Sequence, residues 1–181
     1  FDESLLLKGG LIAFILVSRY LGPTDFGILS YGVALSAFCI TLSQWGANHT
    51  IFNQAIAKNK RAVLLVQSSS FLRLLIYLVS WIFVTLILSL IPEFSSNLLI
   101  ISLVILSHIF LALDLYQYYY NGSLLSSVNA KSNLSGKTFS TIMRCLFVFF
   151  ALKPIFFVLP YFINNIIVYM IRRKNFPKFN V

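Results

Sequence analysis

Three ionisable residues, Arg73, Asp114 and Arg144, stand inside long apolar runs of this chain. An ionised side chain at the centre of a membrane helix costs at least about 2.5 to 3.5 kcal/mol, so each should face water or a partner rather than lipid. Two guanidinium groups and one carboxylate in that setting suit three tasks: holding an anion, coupling to an ion, or forming a structural ion pair. Arg144 lies six residues into its run, about 9 Å deep, and is the hardest of the three to assign to packing alone. Asp114 lies about 6 Å from the end of its run. A structural pairing with Arg144 or Arg73 and a place in a transport site are equally open for it. Arg73 is shallow enough to snorkel.

The remaining chemistry is sparse. The chain has five acidic residues, and only Asp114 falls inside an apolar run. Acid–base catalysis, and the acidic pair that a membrane glycosyltransferase needs for a metal and an activated sugar, have nothing to be built from, so no enzyme is expected. Cys39 and Cys145 lie in apolar runs without Cys or His at ligand spacing, and His49 and His108 are isolated. No disulfide, metal or cofactor is expected. The stretch SNLSGKTF, 132–139, lacks the glycine a phosphate-binding loop needs five residues before Gly136, where Lys131 stands instead. Three Asn-X-Ser/Thr triplets begin at Asn48, Asn121 and Asn133 and all fall on the expected cytoplasmic side, as chance matches.

The elements that must carry these residues follow from composition. The chain is 59% hydrophobic and 10% charged, whereas a soluble domain is about one quarter charged. The apolar residues come in blocks, the mark of an all-α integral membrane protein that crosses the bilayer several times. Six spans are expected, at about 5–21, 27–47, 71–91, 98–118, 138–152 and 155–171, with Lys153-Pro154 dividing the last two. Ala62 to Ser70 is expected to lie along the membrane surface. Asn121 to Gly136, rich in Ser, Asn and Gly, is expected as a flexible cytoplasmic loop.

Basic residues orient the spans. Lys8, Lys58, Lys60, Arg61, Lys131, Lys137, Arg172, Arg173, Lys174 and Lys178 fall on one side and only Arg19 and Lys153 on the other. The positive-inside rule places both termini in the cytoplasm. Nucleic-acid binding, which 14 basic against 5 acidic residues would suggest in a soluble protein, is set aside because the charges sit between spans. A chain opening on Phe1 reads as a piece of a longer product, with the first apolar run retained as a helix. Asn164 and Asn165, after Pro160, are expected to act as interhelical hydrogen-bond partners at a kink, with contact to sugar hydroxyls a lesser alternative.

The stretch SRYLGPTDFGILSYGVAL, where the first run ends and the second begins, resembles the signature of the bacterial polysaccharide biosynthesis and O-antigen flippase family. Arg19, Tyr20, Leu21, Gly22, Pro23, Phe26 and Gly27 carry the likeness. Asp114, Tyr116 and Gln117 give a weaker second one. The family lies in the superfamily of multidrug, oligosaccharidyl-lipid and polysaccharide exporters, which resemblance implies two six-helix lobes, residues 1–181 forming the N-terminal one and the C-terminal lobe being absent. It implies flipping of an undecaprenyl-pyrophosphate-linked oligosaccharide across the bacterial inner membrane, with a second lobe or the polysaccharide polymerase machinery as partner. On that basis Arg144 and Arg73 would receive the anionic headgroup from inside, and Arg19 and Lys153 would meet it near the outer face. Arg19 has a structural alternative, anchoring the Gly-Pro turn at headgroup phosphates. Asp114 is the ion-coupling candidate, and would be central in the alternative of a small-solute or drug antiporter. A third alternative is a truncated, inactive product or a half-size subunit that works only with a partner lobe.

Overall fold

A computed structural model describes residues 3–57 and 60–177; Lys58 and Lys178 of the inner-side cation set lie outside the described residues. Among the described residues the fold is all-helical, with no strand. The first element, α1 (Glu3–Gln44), has 42 residues, which unbent would extend about twice the thickness of a bilayer's hydrocarbon core. It does not run straight. Gly22 adopts φ 73° and ψ 175°, a region open essentially to glycine alone. Pro23 then opens the second arm, where its missing N–H is no loss. The arms fold back on each other: the Phe14 and Phe26 rings meet edge to face with centroids 5.0 Å apart, and Val17 and Leu29 share one buried cluster. The Gly-Pro turn between two apolar runs is thus a hairpin corner.

Two short helices follow, α2 (Ala47–Ile56) and α3 (Lys60–Ser68). The latter buries Ala62, Val63 and Val66 while Leu64 and Leu65 stay exposed. Next come α4 (Ser70–Ser89) and a single turn, α5 (Pro92–Ser95). The fourth apolar run is three helices in series, α6 (Leu98–Ser107), α7 (Ile109–Leu113) and α8 (Tyr116–Gly122), interrupted at His108 and Asp114. Then α9 (Ser126–Phe149) leads through a turn and a 3-10 segment (Pro154–Val158) into α10 (Leu159–Lys174).

One expectation is corrected here. The polar stretch 121–136 is not a loop: α8 covers its first residues and α9 begins at Ser126. Its serines and threonine bond back to carbonyls of the preceding turn, Ser132 to Asn129, Ser135 to Lys131 and Thr138 to Leu134. Those bonds let polar residues sit in a helix without competing for its backbone donors. Gly136 allows α9 to lie hard against α10, since a Cβ there would come within 2.7 Å of Val168 Cγ2 and 2.8 Å of Asn164 Oδ1.

Among the described residues four stretches are long and apolar enough to cross a membrane, Gly10–Gln44, Ser70–Ser89, Leu98–Gly122 and Pro154–Lys174. The first contains the α1 hairpin, and α9 is not among the four because its first half is polar. Buried apolar clusters run the length of the bundle. Val17, Leu29, Val104 and Phe157 pack toward the Gly22 end, Cys39, Tyr77, Ile101 and Ile105 in the middle, and Ile51, Leu115, Tyr120 and Tyr169 toward the α8 end. The exterior is apolar as well. On α4, Val79, Ile82, Phe83 and Leu86 are each more than half exposed, a continuous strip suited to acyl chains and unsuited to water.

Candidate functional site

Polar side chains gather along one seam where α6, α7 and α8 face α9 and α10, in two layers. At the α8 end, Asp114 occupies the break between α7 and α8, and its Oδ2 accepts from the Arg172 guanidinium. The pair is sealed, with side-chain exposures of 2% for Arg172 and 1% for Asp114. Arg172 also donates through Nε to Ser132 Oγ (3.1 Å), through Nη1 to Gln117 Oε1 (3.2 Å) and through Nη2 to Asn133 Oδ1 (2.9 Å). Its carbonyl accepts from the Tyr120 hydroxyl at 2.8 Å. A buried ion pair stands only when its spare donors are used, and here one guanidinium ties α7, α8, α9 and α10 together. Ser132 and Asn133, the start of the stretch that imitates a phosphate loop, serve this knot.

The second layer lies deeper. The Arg144 guanidinium of α9 sits over the Tyr161 ring of α10, 4.6 Å from its centroid. The His108 ring meets the same tyrosine, 5.7 Å between centroids. His108 Nδ1 lies 2.9 Å from Val104 O, and Asn165 Nδ2 donates to Ser107 O at 3.2 Å. Helix α6 ends at this point, so its last carbonyls are taken by side chains, as a broken helix in lipid requires. Asn164 Nδ2 donates to Asn165 Oδ1 at 3.0 Å, so Asn165 binds α10 to α6 and Asn164 steadies it. Arg73 stands apart on α4, 5% exposed, one turn from Tyr77, whose hydroxyl donates to Ile105 O at 2.5 Å.

Asp114 is therefore joined to neither Arg144 nor Arg73. Its partner is Arg172, which the charge pattern counts only among the cytoplasmic-side cations. The clue was its spacing: Asn165, Tyr169 and Arg172 fall on one helical face, and Asn165 and Tyr169 are buried with it. Among the described residues the Arg172–Asp114 contact is the one ion pair. Arg73 and Arg144 have no hydrogen bond or ion pair from their guanidinium groups there. Arg19 and Lys153 are both exposed and are drawn to one end of the bundle, because the Tyr20 hydroxyl donates to Leu152 O at 3.0 Å. An open apolar groove of about 260 Å³, lined by Trp81, Ile82, Thr85, Leu86, Ser89 and Leu98, holds none of these charged groups.

An apolar exterior around an all-helical bundle crossed by one polar seam defines a multi-helix integral membrane protein. The sequence profile of the polysaccharide biosynthesis protein family matches residues 8–181, and the chain belongs to that family. No curated protein and no solved structure matches it. Membership gives the chain a role in polysaccharide biosynthesis at a membrane.

Proposed function

We propose that this chain is the N-terminal lobe of a flippase that carries undecaprenyl-pyrophosphate-linked oligosaccharide across the bacterial inner membrane. One observation carries the proposal. Arg73 is buried on α4 and Arg144 is half-buried on α9, and among the described residues neither has a carboxylate to offset its charge, since Asp114 is taken by Arg172. Cations retained at that cost fit a site whose counter-charge arrives with an anionic cargo. A pyrophosphate is such a cargo, and guanidinium is the side chain whose planar donors match phosphate oxygens. Arg19 and Lys153, exposed at the Gly22 end, are suited to meet the headgroup at the opposite face. A second lobe would complete the transporter, with alternating access by rocking of the two.

The alternative of a cation-coupled small-solute antiporter would use Asp114 as a free carboxylate. Its engagement by Arg172, itself bonded to three further side chains, argues against that role.

The test is charge reversal in the complete protein. Arg144→Glu should cut surface glycan at least tenfold while the amount of protein in the membrane, read by immunoblot, is unchanged. Normal glycan with Arg144→Glu would reject the proposal.

A further inference from the structure

His108 is a buried titratable group that the proposed function leaves unused. Its position is specific: it sits where α6 stops and α7 begins, midway along the fourth span, and is 7% exposed. Val104 O can only accept, so at 2.9 Å it fixes the proton of the neutral ring on Nδ1, with Ser107 Oγ also 3.1 Å from that nitrogen. The lone pair is then on Nε2, which has no hydrogen-bond partner among the described residues.

The charged and titratable surroundings are uneven. From α10 the Tyr161 ring faces His108, and from α9 Arg144 lies over that same ring. On the other flank of the span α4 turns its buried face inward with Tyr77 and Arg73, and α1 contributes Cys39. Asp114, the nearest acid in sequence, is held by Arg172. Among the described residues His108 is thus set with cations and neutral groups, and no free carboxylate faces it.

We propose that His108 is a proton-binding site linked to anion binding at Arg144: its Nε2 takes a proton from water when an isoprenyl pyrophosphate occupies the seam, and gives it up when the anion leaves. The inference rests on the function proposed above. In the empty site an imidazolium at His108 and the Arg144 guanidinium on one aromatic ring would repel each other. An anion beside Arg144 reverses the field at His108 and favours the charged ring. By linkage the effect is reciprocal, so the protonated protein binds the anion more tightly, by a factor within the roughly 5- to 150-fold range of such couplings.

The experiment uses the complete protein in nanodiscs of phosphatidylethanolamine and phosphatidylglycerol, with farnesyl pyrophosphate as probe. Affinity is measured from pH 5.5 to 8 for the wild type, His108→Gln and Arg144→Glu. Comparing variants with one probe cancels the ionisation of the probe itself. The wild type should tighten about tenfold more than His108→Gln as the pH falls, and Arg144→Glu should lose binding at every pH. Equal slopes for wild type and His108→Gln, with binding still lost in Arg144→Glu, would overturn the proton site and leave the anion site standing. Undiminished binding in Arg144→Glu would remove the functional reading and the inference with it. Should His108→Gln fail to fold, calorimetry of the wild type in buffers of different ionisation heat decides the matter. Proton uptake beyond that of the probe supports the site, and its absence overturns it.

Discussion

The Asp114–Arg172 pair is the clearest case of two residues whose meaning lies in each other. Removing one partner of a sealed ion pair leaves an uncompensated charge, which costs about 3 to 5 kcal/mol. Arg172→Met in the complete protein should therefore lower the thermal unfolding midpoint in detergent sharply. Asp114→Leu combined with Arg172→Met should recover much of the loss, because two apolar groups leave no stranded charge. Recovery would be partial, since Gln117, Ser132 and Asn133 also lose a donor. An Arg172→Met protein as stable as the wild type would show that the pair is not a clamp. The sequence marks Asp114 as unusual, but nothing local to it points to a residue 58 positions away.

Helices in this bundle are shaped by where they stop and how closely they meet. The breaks at His108 and Asp114 lie in a run so uniformly apolar that hydropathy alone reads it as one span. They place the two polar layers of the seam, because a side chain at a break can reach carbonyls and neighbours that a continuous helix would keep to itself. The opposite case is α9. Its first half is polar enough to look like a loop, and becomes helix because α10 packs against it through Gly136. Gly136→Ala should force the helices apart at Val168 and Asn164 and lower stability by about 1 to 3 kcal/mol, the usual cost of overpacking. Thermal unfolding of the complete protein checks this, and an unchanged midpoint would mean the contact is looser than its geometry implies.

Across the described residues, Arg61, Arg172, Arg173 and Lys174 stand at the end that holds α2, α3 and the end of α10, Arg73 and Arg144 lie along the bundle, and Arg19 and Lys153 are at the Gly22 end. That asymmetry predicts a cytoplasmic α8 end and an outward Gly22 corner. In a Cys39→Ala, Cys145→Ala background, a cysteine at Asp25 should react with a membrane-impermeant maleimide in intact cells. One at Lys137 should react only after permeabilisation. The reverse pattern would overturn the orientation and move the headgroup entry to the other face.

Composition and hydropathy were enough to establish an all-helical membrane protein, since lipid leaves a backbone few ways to satisfy its hydrogen bonds. The Gly-Pro corner was legible too, because a positive φ followed by proline leaves a mark in residue type. The pairing of Asp114 with Arg172, the ring shared by Arg144 and His108, and the helix in place of a loop at α9 were decided only in three dimensions. Each depends on which faces of distant helices meet, and helical periodicity states which residues share a face but not what that face touches.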